Sequence, residues 1–364
     1  MDPRIREHAE IVVNHSIDCS EGDNVVIDVH PEAEDLAVAI VEAVADVGAH
    51  PLVVQERLGT RYRRAYLKNY DGEFEAPEHT HALYEEMDAY VAIKGSDNET
   101  QMSDVDTELQ ADYNRAYEPV RETRLNKTWN LTLFPTAANA QQAEMATEEY
   151  ENFVWDAINK DWDGVRDHQQ PMADRLTEAE EVRIVSGDTT DITMSVAGNQ
   201  TLNDFGEANL PGGEVFTAPE KYSVEGEAYF DIPIYHQGRE IGGAQLVFED
   251  GQVVEHSAEK NEDLLTDVLE TDDGARYLGE LGIGMNRDID RFTRNILFDE
   301  KMGDTVHMAV GRAYPETVGE DNEQNSSAVH VDMILDMSED SYIELDGEVI
   351  QRDGTFWFED GFDE

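Results

Sequence analysis

His330-Val331-Asp332 lies inside the apolar stretch Ala328 to Leu335. In a strand, residues i and i+2 point to the same face. His330 and Asp332 then project together, while Val331 and Met333 face the other way. An imidazole nitrogen beside a carboxylate oxygen is a two-ligand platform for zinc, cobalt or manganese. The plainer alternative is a buried His–Asp hydrogen bond. Thr305 to Val310 is a second strand with one histidine, His307, among small and apolar neighbours. A lone histidine there is more often a satisfied core residue. Two such strands within a short span can pair and bring the two imidazoles together.

Two glutamates stand out from the acidic background. Glu214 follows Pro211-Gly212-Gly213 and precedes Val215-Phe216, which puts it at a strand entrance. Glu280 sits in Leu278-Gly279-Glu280-Leu281-Gly282-Ile283-Gly284, read as a glycine-punctuated apolar loop. A chain with many exposed places for acids gains nothing by setting one among apolar residues and glycines, unless that acid has work to do. No Walker A loop, HExxH or GxSxG occurs, and the glycines at 279, 282 and 284 lack the strand–loop–helix setting of a dinucleotide fingerprint.

The elements that must carry these residues fall into two textures. Asp2 and Pro3 open a helix through about His15. Val25 to Ile27 is a buried strand, Pro31 opens a helix ended by Gly48, and Pro51 to Val54 is the next strand. Strand–helix–strand implies parallel pairing. Tyr90 to Ile93 and Trp129 to Phe134 are further strands, and one long helix is expected from about Gln141 to Lys160. From Val182 onward the segments alternate and are β-branched: Val182 to Val185, Asp191 to Val196, Glu227 to Ile232, Ala244 to Phe248 and Val253 to His256. Asp250-Gly251 and Asp346-Gly347 are hairpin turns. The fold class is therefore α/β: an N-terminal α/β layer domain with a mostly parallel sheet (residues 1–170), then a sheet-rich α+β domain (171–364). The junction is expected in the polar stretch 162–178.

Composition limits the partners. The 364 residues hold 82 Asp plus Glu against 26 Lys plus Arg, a formal net charge of -56. The acids are spread along the whole chain, as on a solvated halophilic surface whose self-repulsion molar salt would screen. Such a surface disfavours nucleic acid and anionic membranes. The single cysteine, Cys19, excludes an intrachain disulfide framework. No apolar run is long enough to span a bilayer, and Met1-Asp2-Pro3-Arg4 shows no leader pattern, so the expected location is the cytoplasm.

Several ordered motifs resemble the thermophilic-type metallo-aminopeptidases, the family of aminopeptidase T and aminopeptidase S. They are Leu210 to Pro219, Leu278 to Gly284, Ile296 to Lys301, Thr305 to His307 and Ser327 to Asp332, with Phe134-Pro135-Thr136 and Thr189 to Ile192 extending the likeness nearly end to end. The resemblance implies that Glu214, Glu280, His307, His330 and Asp332 ligate two divalent metal ions (Zn, Co or Mn), with Glu280 shared between them. It also matches Glu300 and Tyr314 to a family glutamate and a family tyrosine, which are the candidates for general base and for donor to the oxyanion, and it implies small peptides as substrates and a homodimer. Two rivals remain: a metallohydrolase of non-peptide amides or esters, and a non-catalytic, metal-stabilised binding protein.

Overall fold

The computed structural model describes residues 1–55, 59–236 and 238–362. The chain forms two compact units. One comprises Met1–Lys160 with Gly206–Gly212; the other comprises Asp161–Phe205 with Gly213–Glu364.

In the first unit the apolar runs become a five-stranded parallel sheet. Its order is His50–Val54, Asn24–Val29, Ala89–Lys94, Thr128–Leu133, Asn209–Leu210. The helix Glu34–Val47 buries Leu36, Ile40 and Val44 and ends at Gly48, whose φ of 89° suits a residue without Cβ. The helix expected over 141–160 is two helices, Ala137–Gln142 and Thr147–Ile158. The break lies at Glu144, whose φ is 57°. The Met145 N–H folds back to the Ala140 carbonyl at 2.9 Å, closing one helix before the next starts.

The second unit opens with a helix, Trp162–Glu178, in the polar stretch read as the junction. Its polar residues face outward, while Gln169, Met172 and Leu176 are buried. Two antiparallel sheets follow, one of nine strands and one of five. Asp250-Gly251 and Asp346-Gly347 turn with positive φ at both positions, as two-residue hairpins require. A single apolar cluster joins the two sheets, with Val182, Ile184 and Leu246 from the larger and Leu281, Val306 and Met333 from the smaller.

The five-stranded sheet runs His330–Asp336, Thr305–Gly311, Leu278–Gly284, Glu214–Thr217, Leu202–Asp204. Leu278–Gly284, read from the sequence as a loop, is its central strand and is buried throughout. Glycines usually weaken strands. Here they are kept because other groups occupy the space above them: the backbone of Gly311 and Arg312 over Gly279, the His307 ring over Gly282 and the Met302 carbonyl over Gly284.

The long connection 285–304, which carries a short helix, joins this strand to Thr305–Gly311. The helix Ile296–Asp299 is capped by Asn295, whose side chain accepts from the Leu297 N–H at 3.3 Å. Asp299 is buried and accepts from the Thr293 N–H at 2.8 Å and the Thr293 hydroxyl at 2.7 Å. Burial pushes its carboxyl up to about 7, against the opposing pull of the Thr293 hydrogen bonds. An acid raised above its unfolded value of about 3.9 contributes stability that is complete below that value and is lost as pH rises through 7. Asp299→Asn keeps an acceptor and cannot ionise. Melting temperatures measured from pH 5 to 8 should therefore shift in favour of the variant as pH rises; a pH-independent gap would show that Asp299 is not protonated in the folded chain.

Candidate metal centre

Strand alternation sorts the five-stranded sheet into two faces. Val215, Leu281, Ile283, Val306, Met308, Val310, Val331 and Met333 fill the core on one side. On the other side stand Glu214, Glu280, His307, His330 and Asp332. The cross-strand register gives their spacing: Glu280 is opposite Ala309, Ala309 is opposite Asp332, and His307 is opposite Gly282. Small residues at 282, 284, 309 and 311 alternate with the large polar ones, which leaves the polar groups room to converge. A β-bulge between Leu278 and Glu280 re-aims the strand at that point.

Gly282 is required by contact rather than by backbone conformation. A Cβ there would lie 2.0 Å from His307 Nε2 and 2.1 Å from its Cε1. His307 is fully buried, so an added methyl displaces it from its place in the cluster.

The five side chains form two overlapping groups, Glu214–Glu280–His307 and Glu280–His330–Asp332, each offering ligand atoms within 4.8 Å of one another. His307 Nε2 is 3.2 Å from Glu214 Oε2 and 3.2 Å from Glu280 Oε1. His330 Nε2 is 3.8 Å from Glu280 Oε2 and 3.4 Å from Asp332 Oδ1. Glu280 thus turns one oxygen to each imidazole. The Nδ1 of His330 is held by the Arg312 carbonyl at 2.8 Å, which aims Nε2 into the cluster.

The electrostatics are those of charges crowded away from water. Burial raises the Glu214 and Glu280 carboxyls, partly offset by Lys301 for the first and by His307 for the second. Burial alone would lower both histidines, but the carboxylates win: Glu280 and Glu214 push His307 up to about 9, and Asp332 and Glu280 push His330 up to about 10. Asp332 resists its own burial and falls to about 2, chiefly through His330.

The donor set fits a divalent cation. Glu214 Oε2, Glu280 Oε2 and Asp332 Oδ1 are buried and lack a well-formed hydrogen bond. Buried polar atoms are normally satisfied. Three such oxygens beside two imidazole nitrogens make the mixed N/O ligand set of zinc, cobalt or manganese.

Glu300 lies beside the cluster, with 16% of its side chain exposed, and Lys301 is fully buried. Lys301 Nζ donates to Glu300 and to Glu214 Oε1, the latter at 3.0 Å, and lies 3.8 Å from Asp204 Oδ2. Burial opposes its charge, yet Glu214, Glu300 and Asp204 hold it well above the usual lysine range. Lys301 is the residue that sequence reasoning missed. It clamps two of the acids, and Gln169 adds a second clamp by donating to the Glu214 carbonyl at 3.3 Å and the Asp204 carbonyl at 3.1 Å. The Tyr314 ring stands 4.9 Å from the His330 ring. Desolvation of its hydroxyl and then the nearby Glu280, Asp332 and Glu300 shift that hydroxyl upward, so Tyr314 remains a donor although 36% of the residue is exposed. Asn199 belongs to the scaffold: it donates to the Ala218 carbonyl at 2.7 Å and accepts from the Gly319 N–H at 2.9 Å, pinning the 316–327 loop.

Residues 1–356 match the family described as thermophilic metalloprotease (M29). The chain belongs to this metalloprotease family. It is 26% identical to aminopeptidase AmpS of Bacillus subtilis, covering 98% of each chain, and 28% identical to aminopeptidase T of Thermus aquaticus, covering 95% of this chain and 94% of that one. The structure of AmpT from Thermus thermophilus superposes with a TM-score of 0.85 at 25% identity, covering 97% of this chain and 99% of the other. A 2,5-dihydroxypyridine dioxygenase from Pseudomonas putida KT2440 shares the fold alone, with a TM-score of 0.63 at 14% identity over 98% of this chain and 97% of that one. The resemblance read from the motifs therefore stands, and with it a metallo-aminopeptidase that uses divalent metal. Among the described residues no helix is long and apolar enough to cross a membrane.

Gly282→Ala tests the site's packing. The variant should fold, because only one face of the sheet is disturbed, but His307 must rotate away. Zinc affinity measured by competition with a chromogenic chelator should fall by about tenfold or more; affinity equal to wild type would mean that His307 does not depend on this gap.

Proposed function

We propose that the chain removes N-terminal residues from small peptides at a two-metal centre held by Glu214, Glu280, His307, His330 and Asp332, with Glu280 shared between the two ions. The observation that carries this reading is the placement of the two Glu280 oxygens, one toward each imidazole. Zinc, cobalt or manganese held by these residues would supply Lewis acidity to the scissile carbonyl, an anchor for the free α-amine and a more acidic water as the nucleophile.

The chain's own residues do the rest. Lys301 fixes the direction of the Glu300 carboxylate, which takes a proton from the attacking water and returns it to the leaving amine. Tyr314, kept protonated, donates to the oxygen that gains charge in the transition state. Burial of the cluster against the sheet keeps bulk water from screening these charges.

The reading extends to a homodimeric, cytoplasmic enzyme of a high-salt cell. It rests on the family resemblance and on an excess of 82 acids over 26 bases. A hydrolase of non-peptide amides or esters would not require a free α-amine. A metal-stabilised binding protein would turn nothing over.

Glu280→Gln should lower turnover of aminoacyl-nitroanilides by about a thousandfold, equivalent to roughly 4 kcal/mol of transition-state stabilisation, with metal content per chain falling in the same preparation. Chelation should abolish wild-type activity and re-added cation restore it, while N-acetylated substrates stay intact. Full activity in the Gln variant would remove Glu280 from the centre. Separately, raising KCl from about 0.1 M to about 2 M should raise the melting temperature through screening of surface repulsion; a fall would contradict the high-salt reading.

A further inference from the structure

The second unit spends nearly every basic side chain on an acid. Arg166, Arg175, Arg183, Lys221, Arg239, Lys260, Arg276, Arg287, Arg291 and Lys301 all form ion pairs. Two arginines, Arg352 and Arg312, form none among the described residues; Arg352 lies over the Tyr342 ring at 5.6 Å, and Arg312 is the one beside the metal cluster. Among the described residues its guanidinium makes no ion pair or hydrogen bond, in a chain of net charge -56. Its one recorded partner is the Tyr314 ring, with the guanidinium carbon 5.8 Å from the centroid.

Its position is not that of a loose surface arginine. The Arg312 N–H donates to the Val329 carbonyl at 2.8 Å, and its own carbonyl holds His330 Nδ1. Gly279 admits this backbone closely: a Cβ there would come within 2.5 Å of the Arg312 carbonyl group. The residue is thus fixed against the metal cluster while its side chain is half-buried along Tyr314. From His330 to the Tyr314 ring is one step of 4.9 Å, and from that ring to the guanidinium is another of 5.8 Å. The two steps set an upper limit on the distance from the cluster to the guanidinium, and that limit lies within the reach of an extended peptide of two or three residues at about 3.5 Å each.

We propose that Arg312 binds the C-terminal carboxylate of a di- or tripeptide whose amino end lies at the metal centre. The inference rests on the aminopeptidase reading above. A planar guanidinium with free donors is suited to a carboxylate, which it grips with two parallel hydrogen bonds. The acidic exterior repels anionic peptides, so a lone uncommitted cation beside the cluster provides the local attraction that the rest of the surface withholds. Arg312 thereby sets a length limit, because a longer peptide places its carboxylate beyond reach.

The test uses the metal-loaded full chain and two probe pairs. One is a dipeptide with a free carboxyl terminus against its C-terminal amide, followed by kcat and KM. The other is the same acid and amide with the scissile bond reduced to a non-cleavable amine, followed by calorimetric Kd. Wild type should favour the acid over the amide by about tenfold in KM and in Kd. Arg312→Met should bring that ratio near one, with the loss in KM, and Arg312→Lys should restore part of it. Equal losses for acid and amide would overturn the proposal and make Arg312 a positioning residue for Tyr314. A loss confined to peptides with an acidic N-terminal residue would move the carboxylate to a side chain and overturn the C-terminal assignment. If wild type discriminates acid from amide in Kd without turnover, the peptidase reading fails and the carboxylate site stands. Turnover without discrimination does the reverse.

Discussion

Carboxylates crowded onto a dry face of one β-sheet are the constraint around which this protein is built. Taking a charge out of water costs several kcal/mol unless an opposite charge accompanies it. Glu214, Glu280 and Asp332 are buried together, with Asp204 and Glu300 close by. The chain answers partly from its own resources. Lys301 lies under Glu214 and Glu300, and His307 and His330 are driven toward their protonated forms. Protons on two imidazoles leave three buried oxygens without well-formed hydrogen bonds. Divalent cations are the natural completion, since they need neutral imidazoles and ionised carboxylates on the same face.

The fold meets this need by giving one sheet two incompatible faces. Strand alternation keeps Leu281, Ile283, Val306 and Met308 in the core while their neighbours face the cluster, so a one-residue slip would exchange the two sets. The register is therefore strongly specified from both sides. Gly282 makes the trade visible: a residue that weakens the strand is kept because His307 lies where its Cβ would be. The same fold in a dioxygenase shows that the architecture alone does not choose a chemistry. The side chains on the polar face do.

Much of this is legible in the sequence, for definite reasons. Period-two spacing puts His330 and Asp332 on one face, and the β-branched runs after Val182 mark the antiparallel half. Glu214 and Glu280 are conspicuous because they sit among glycines and apolar residues, although glycines also make 278–284 read as a loop. A linear pattern cannot show that the space above a glycine is filled from another strand. The helix break at Glu144 escapes for a similar reason: the apolar positions continue across it, and only the backbone turn divides them. Lys301 carries no periodic signal at all. In sequence it is one lysine after one glutamate, and its burial beneath the cluster exists only once distant strands have met. Arg312 is equally silent, since a missing ion pair is a property of three-dimensional surroundings.

The most direct test of the central claim is anomalous diffraction from crystals equilibrated with zinc. The account predicts two peaks on the order of 3.5 Å apart, one among Glu214, Glu280 and His307, the other among Glu280, His330 and Asp332, with the Glu280 carboxylate between them. One peak lacking Glu280 as a ligand, or zinc bound only elsewhere on the acidic surface, would contradict it.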